Sequence, residues 1–182
     1  EPWEFDAARA VFEAQLTYLK GQKKPLPEAI RYGAMLEVPA LAEQLDVLAP
    51  KLSFLSIGTN DLTQFLFAAD RANPKLAERY DWLSPAILRF LKRVIQGVAG
   101  HDVDVTVCGE MGGRRLEALA LLGIGIRRLS ITPASVGPIK ELIRKVDLEE
   151  IGGAMNGWLM SPPRDLRSAL IAWAQERGID CD

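Results

Sequence analysis

Asn60 and Asp61 stand side by side where the chain changes character. Before them, Leu52 to Ile57 is short and mostly apolar, as a buried strand is. Gly58 breaks that run, and Thr59 and Asn60 favour turns and helix caps. After them, Leu62, Phe65 and Leu66 recur at helical spacing. An amide beside a carboxylate at such a junction can hold a metal ion and a phosphate oxygen together, and in parallel α/β folds ligands bind there. The same two residues would serve equally as plain helix caps.

Three other positions read in the same way. Glu37 follows an apolar run from Ala29 to Leu36 and precedes Pro39, which suits the first turn of a helix. It could be a ligand or an ordinary first-turn acid facing the helix dipole. Cys108 ends the valine-rich stretch from Val103, and Thr132 ends the stretch from Ile126 to Ile131. Alone, Cys108 reads as a buried structural thiol. His101, the single histidine, falls in a turn with no nucleophile beside it and reads as a solvated loop residue.

The elements that must position these residues alternate. A helix from about Asp6 to Gly21, with Asp6 as cap and Phe12, Leu16 and Leu19 on one face, leads into a basic linker. Strands are expected at 29–36, 52–57, 103–108 and 126–131. Helices are expected at about 40–48, from Asn60, after Ser84-Pro85, at 114–122 and at 136–146. A polar loop from Ala68 to Tyr80 interrupts the order, and loops of that length are usually functional or disordered. Two further helical patterns, about 148–159 and 165–177, follow; they read as packing and solubility.

Composition bounds the class. The 182 residues allow one domain, and 48% hydrophobic with 25% charged residues allows a sizeable core. A net charge of -2 gives no reason to expect nucleic acid or an anionic membrane as partner. No apolar run is long enough to span a bilayer. The two cysteines, Cys108 and Cys181, read as free thiols in a reducing, cytoplasmic compartment. The chain opens at Glu1 without a methionine, as a cut piece of something longer would.

Alternating strands and helices call for a parallel sheet. No Gly-x-Gly-x-x-Gly follows a strand, and there is no Walker loop. A (β/α)8 barrel typically takes about 250 residues; four units make half of one. The fold expected is therefore α/β: the C-terminal half of a TIM-type barrel, about four parallel strands with helices, plus C-terminal helices. A leading helix and linker (1–28), the half-barrel (29–146) and a helical tail (147–182) would form one domain. Glu37, Asn60 with Asp61, Cys108 and Thr132 would then converge on one barrel mouth.

Five segments carry a family resemblance: Met35-Leu36-Glu37-Val38-Pro39, Ser56-Ile57-Gly58-Thr59-Asn60-Asp61-Leu62-Thr63-Gln64, Ala69-Asp70-Arg71-Ala72-Asn73-Pro74, Leu83-Ser84-Pro85-Ala86 and Cys108-Gly109-Glu110-Met111. Together they resemble the phosphoenolpyruvate (PEP)-binding barrel of Enzyme I of the bacterial phosphotransferase system. Phe65-Leu66-Phe67-Ala68-Ala69-Asp70-Arg71 resembles the nitrogen-related branch more than the sugar branch. The resemblance spans about Ile30 to Ile143. Ala72 and Gly112 depart from the usual glycine and alanine, and neither position carries a functional group.

The resemblance implies a role for each matching position. Glu37 and Asp61 would be the carboxylate ligands of Mg2+, which takes one or two carboxylates and completes its shell with water and substrate oxygens. Asn60 would bond the transferring phosphoryl group. Arg71 would neutralise PEP with its planar fork. Cys108 would protonate the methylene carbon of the departing enolate, and a buried thiol near an anion keeps the proton that an acid needs. The parent enzyme would pass phosphate from PEP, leaving pyruvate, to a histidine of a separate domain and on to a histidine phosphocarrier protein, and it would be a homodimer. The family's upstream strands supply two more arginines, and its histidine sits in a Ser-His motif absent here; this piece alone would be inactive. Two other readings stay open: a fragment of pyruvate phosphate dikinase or PEP synthase, with ATP as the other partner, and an assembly module that dimerises without chemistry.

Overall fold

The computed structural model describes residues 1–77 and 81–181. Strands β1 (Gly33–Leu36), β2 (Phe54–Gly58) and β3 (Asp104–Cys108) form one parallel sheet in the order β1-β2-β3. Leu36 pairs with Ile57, and Gly58 with Cys108. One residue past the last pair of β1, Glu37 comes level with Gly58 and Cys108, so the carboxyl ends of all three strands lie in one row.

Parallel neighbours need crossover connections, and helices make them here. Helix α1 (Pro2–Gly21) leads, and α2 (Pro39–Ala42) and α3 (Leu45–Leu48) join β1 to β2. Between β2 and β3 come α4 (Thr59–Phe67), the short α5 (Pro74–Ala77) and α6 (Pro85–Gly97). Helices α7 (Arg115–Gly123), α8 (Pro133–Lys145), α9 (Leu148–Met160) and α10 (Leu166–Glu176) complete the described chain. No helix among the described residues is long and apolar enough to cross a membrane.

Period-two alternation divides the sheet into two unlike faces. Leu36, Leu55, Ile57 and Val107 are fully buried and share one cluster with Ile87, Leu88 and Leu91 of α6 and Leu119 of α7. The tail joins the same core through Ile151 and Met155 of α9 and Leu170 and Trp173 of α10. On the opposite face Met35 and Phe54 are 50% and 37% exposed, and Ser56, Asp104, Thr106 and Cys108 are half-buried. Polar residues interrupt that face, so it is not the continuous apolar wall that burial on both sides of a parallel sheet would give.

Several expectations are corrected. The first helix starts at Pro2, whose fixed φ and missing N–H suit a first helical position; Asp6 lies inside it and pairs with Lys51. The first strand spans 33–36 rather than 29–36. Tyr32 still gives its carbonyl to Ser53 N–H, at 2.7 Å, but the ladder begins after it. The single helix expected at 40–48 is two short helices and a 3-10 turn, Ala49–Lys51, which bury Leu45, Leu48 and Ala49. The fourth strand shrinks to a single bridge, Val107 to Leu129, flanked by Val107 N to Arg128 O at 3.1 Å and Ser130 N to Val107 O at 2.8 Å. The Arg127 side chain also donates to the carbonyls of Leu122, in α7, and of Ile126 at 2.8 and 2.9 Å. The α/β class with a parallel sheet holds, with three strands in place of about four. The expected loop from Ala68 carries α5, and its end at residues 78–80 lies outside the described residues. Ser84 caps α6 as expected, accepting from Ala86 N–H at 3.3 Å with Pro85 at the first position.

Candidate active site

Gly58, not Asn60, precedes the first turn of α4, and no side chain caps that helix. Thr59, Asn60 and Asp61 all lie within the turn, and their side chains go elsewhere. Thr59 Oγ1 donates to the Cys108 carbonyl at 2.8 Å. Asn60 Oδ1 accepts from Glu110 N–H at 3.3 Å. Asp61 faces Arg71 at 3.4 Å. The plain capping role is therefore not what these residues do, and two of them stitch the end of β2 to the end of β3.

Two glycines make this approach possible. A Cβ on Gly58 would stand 2.7 Å from Glu37 Cγ and 2.9 Å from its Oε1, so the Glu37 carboxylate lies over the end of β2. Gly109 has φ +95, a conformation few other residues adopt, and a Cβ there would meet Thr59 Oγ1 at 2.8 Å and Asn60 Oδ1 at 3.1 Å.

Cys108 is half-buried and free. Its Sγ donates to the Ile57 carbonyl at 3.4 Å and accepts from Ser56 Oγ at 3.3 Å. Ser56 sits two residue pairs below Cys108 on the same open face of the sheet; the sequence motifs assign it no role.

Beside this row opens a cleft of about 400 Å³ lined by Asn60, Thr63, Gln64, Arg71, Asp81, Trp82, Glu110, Arg114 and Arg167. Arg71 is held by Asp61 and by its own N–H, which donates to Gln64 Oε1 at 3.2 Å. Arg114 lies over the Trp82 ring at 4.8 Å. Of the residues that the sequence pointed to, Asn60 and Arg71 line the cleft. Asp61 reaches it through Arg71. Glu37 and Cys108 stand at the neighbouring strand ends without lining it, and Thr132 lies past the Leu129 bridge, where its hydroxyl bonds Ser135.

Two carboxylates and an amide oxygen are hard donors of the kind Mg2+ prefers. Among the described residues no three His, Cys, Asp or Glu side chains gather as a metal cage. Glu37, over Gly58, and Asp61, in the helical turn that follows it and facing Arg71, are two carboxylates near the end of β2.

A parallel α/β sheet thus carries polar side chains at its strand ends, beside a cleft lined by three arginines, Asp81 and Glu110. The chain belongs to the PEP-utilising enzymes: the family described as "PEP-utilising enzyme, PEP-binding domain" matches residues 1–148. It is 43% identical over 143 residues to the phosphoenolpyruvate-protein phosphotransferase of Borreliella burgdorferi, covering 79% of this chain and 25% of that protein. It is 41% identical over 180 residues to a protein of Salmonella typhimurium named phosphoenolpyruvate-dependent phosphotransferase system, covering 97% and 24%. A multiphosphoryl transfer protein of Xanthomonas campestris is 48% identical over 112 residues, 62% of this chain and 13% of that one. The chain spans about a quarter of the length of the first two relatives.

Proposed function

We propose that this chain is the PEP-binding C-terminal part of a longer phosphoenolpyruvate–protein phosphotransferase of the nitrogen-related branch, and that it is half of a (β/α)8 barrel. The observation that carries the reading is the row Glu37, Gly58 and Cys108, bonded across β2 and β3 by Thr59 and Asn60, with the arginine cleft beside it.

In this reading PEP lies between Asn60, whose amide bonds the phosphoryl oxygens, and Arg71, whose fork matches carboxylate or phosphate. Glu37 and Asp61 would hold Mg2+, which would offset negative charge on the phosphoryl group. Arg71, which faces Asp61 at 3.4 Å, would turn its fork to the bound substrate. The P–O bond of PEP breaks, and a histidine nitrogen of another domain takes the phosphoryl group. The enolate takes the Cys108 proton at its methylene carbon and becomes pyruvate. Positioning and charge supply most of the catalysis, as in phosphoryl transfer generally. The phosphate then passes to a phosphocarrier protein, in a cytoplasmic homodimer.

The test is transfer of labelled phosphate from PEP to a protein histidine by the full-length protein, with and without Mg2+ and with ATP as competing donor. Label on histidine from PEP alone, dependent on Mg2+, supports the reading. Label only with ATP supports a dikinase or synthase, and no label with a stable dimer supports an assembly module.

A further inference from the structure

Asp81 and Arg167 are far apart in sequence and form a two-pronged pair: Arg167 Nη2 donates to Asp81 Oδ1 at 2.7 Å and Nε to Oδ2 at 3.1 Å. The same Nη2 donates to Glu117 Oε1 at 2.7 Å. Glu117, on α7, is the charged residue among the described ones that is buried, its side chain only 3% exposed. One guanidinium therefore joins a buried carboxylate beneath the cleft to a carboxylate on its wall.

What Asp81 does next is local. Its Oδ1 also accepts from Leu83 N–H at 2.9 Å, and its carbonyl accepts from Ser84 N–H at 2.9 Å. This turn presents Trp82, whose ring lies under the Arg114 guanidinium at 4.8 Å. Asp81, Trp82, Arg114 and Arg167 all line the cleft. Arg71 faces Asp61, and Arg167 faces two carboxylates. Among the described residues Arg114 has only the aromatic face as side-chain partner, and it lines the cleft without a carboxylate to pair with.

We propose that Arg167 is a positioning residue of the anion cleft: through Asp81 it fixes the Trp82 wall, and through Trp82 it seats Arg114 as a second arginine for the substrate's negative charge. Arg167 lies on α10, beyond residue 148 where the family match ends, so the tail completes the wall of the site. Lysine cannot replace the fork, because an ammonium cannot bond both Asp81 oxygens and Glu117 in one plane.

The inference rests on the reading of the cleft as a PEP site, and its test separates the two. Arg167→Lys and Asp81→Asn are made in the full-length protein, with Trp82 fluorescence followed during PEP titration and Trp82→Phe as its control. Arg167→Lys keeps a cation for Glu117, and Asp81→Asn keeps the shape of the turn. Each should raise the KM for PEP about tenfold, the loss of one charged hydrogen bond, with kcat nearly unchanged and only a modest fall in melting temperature from the lost ion pair. The double variant should be no worse than the singles, since both break one pair. Arg114→Gln should raise KM as much while leaving the Asp81–Arg167 pair in place, and Trp82 fluorescence should shift in the free protein as the cation over its ring is lost. An unchanged KM in both Arg167→Lys and Asp81→Asn, with PEP still turned over, overturns the positioning role alone. A lowered melting temperature with unchanged KM reduces the pair to a structural bridge and also overturns it. A wild-type protein that neither binds nor turns over PEP overturns the function and this inference with it.

Discussion

The Glu37 side chain lies across Gly58, so close that a Cβ on Gly58 would stand 2.7 Å from Glu37 Cγ. The glycine is required by what crosses it. Its φ of -83 and ψ of 84 are open to other residues, so the constraint is space and not backbone. Gly58→Ala should therefore fold, at a cost within about 1 kcal/mol, because Glu37 is a flexible side chain that can swing away. It should weaken Mg2+ activation about 10–100-fold, the usual effect of disturbing what orients a metal ligand. Mg2+ titration of PEP turnover, beside a melting curve, checks it; unchanged Mg2+ dependence would separate Glu37 from the metal.

Glu37→Ala and Asp61→Ala should abolish Mg2+-dependent phosphorylation in the full-length protein, since each removes one of only two protein carboxylates assigned to the cation. Asp61→Ala should also release Arg71, whose carboxylate contact is Asp61 at 3.4 Å. Residual PEP binding without Mg2+ should then hold or improve, while Glu37→Ala leaves it unaltered. Full activity in either variant would end the metal assignment.

Cys108→Ser should keep PEP affinity and slow turnover. Serine can take both hydrogen bonds, to the Ile57 carbonyl and from Ser56 Oγ, but an alcohol is a far poorer acid than a thiol. Single-turnover measurement separates the steps: phosphoryl transfer should survive, and pyruvate formation with solvent proton uptake should lag. Turnover within a few-fold of wild type would leave Cys108 a packing residue.

Much of this site was legible as strand-to-helix punctuation. Gly58 after an apolar run, Pro39 after Glu37 and Gly109 after Cys108 mark ends of parallel strands, and the three ends do come level. Where local pattern failed, a tertiary contact decided. Thr59 looks like a cap in sequence, yet its hydroxyl finds the Cys108 carbonyl on the next strand. The run 126–131 looks like a strand, but only its middle pairs with the sheet, through the Val107–Leu129 bridge. Arg167 gave no signal at all: its partners Asp81 and Glu117 lie far away in sequence, and a tail arginine on an amphipathic helix looks like a solvated residue.

Acid should test the Asp81–Arg167 pair. Burial pushes the Asp81 carboxyl up, and the hydrogen bonds from Arg167 and from Leu83 N–H outweigh it, so the group sits below its ordinary value. A carboxyl depressed in the folded state adds stability that is complete above the unfolded value of about 3.9 and fades as pH falls through the folded value. The stability difference between wild type and Asp81→Asn should be constant from neutral pH down to about 5 and shrink only below about 4. Denaturant melts across that range measure it, and a difference that persists unchanged below the folded value would remove the ion pair as its cause.

The 182-residue chain alone should be catalytically dead and should associate in solution. Its one histidine, His101, precedes β3, at the opposite end of that strand from Cys108; at about 3.3 Å per residue the strand holds it well beyond direct transfer from a substrate bound at the carboxyl ends. Among the described residues strand β1 pairs only with β2, so one side of its backbone is an open edge, and such edges pair with other chains. The open face of the sheet adds Met35 and Phe54, and α1 exposes Trp3, Val11 and Tyr18. A second copy offers the chain a way to cover these groups, though it cannot supply a phosphorylatable histidine at the site. Light scattering on the pure chain over a range of concentrations, with a labelled-PEP assay in Mg2+, tests both halves. A monomer at high concentration would show that the open edge is protected, and label on His101 would show that the accepting histidine lies within this chain after all.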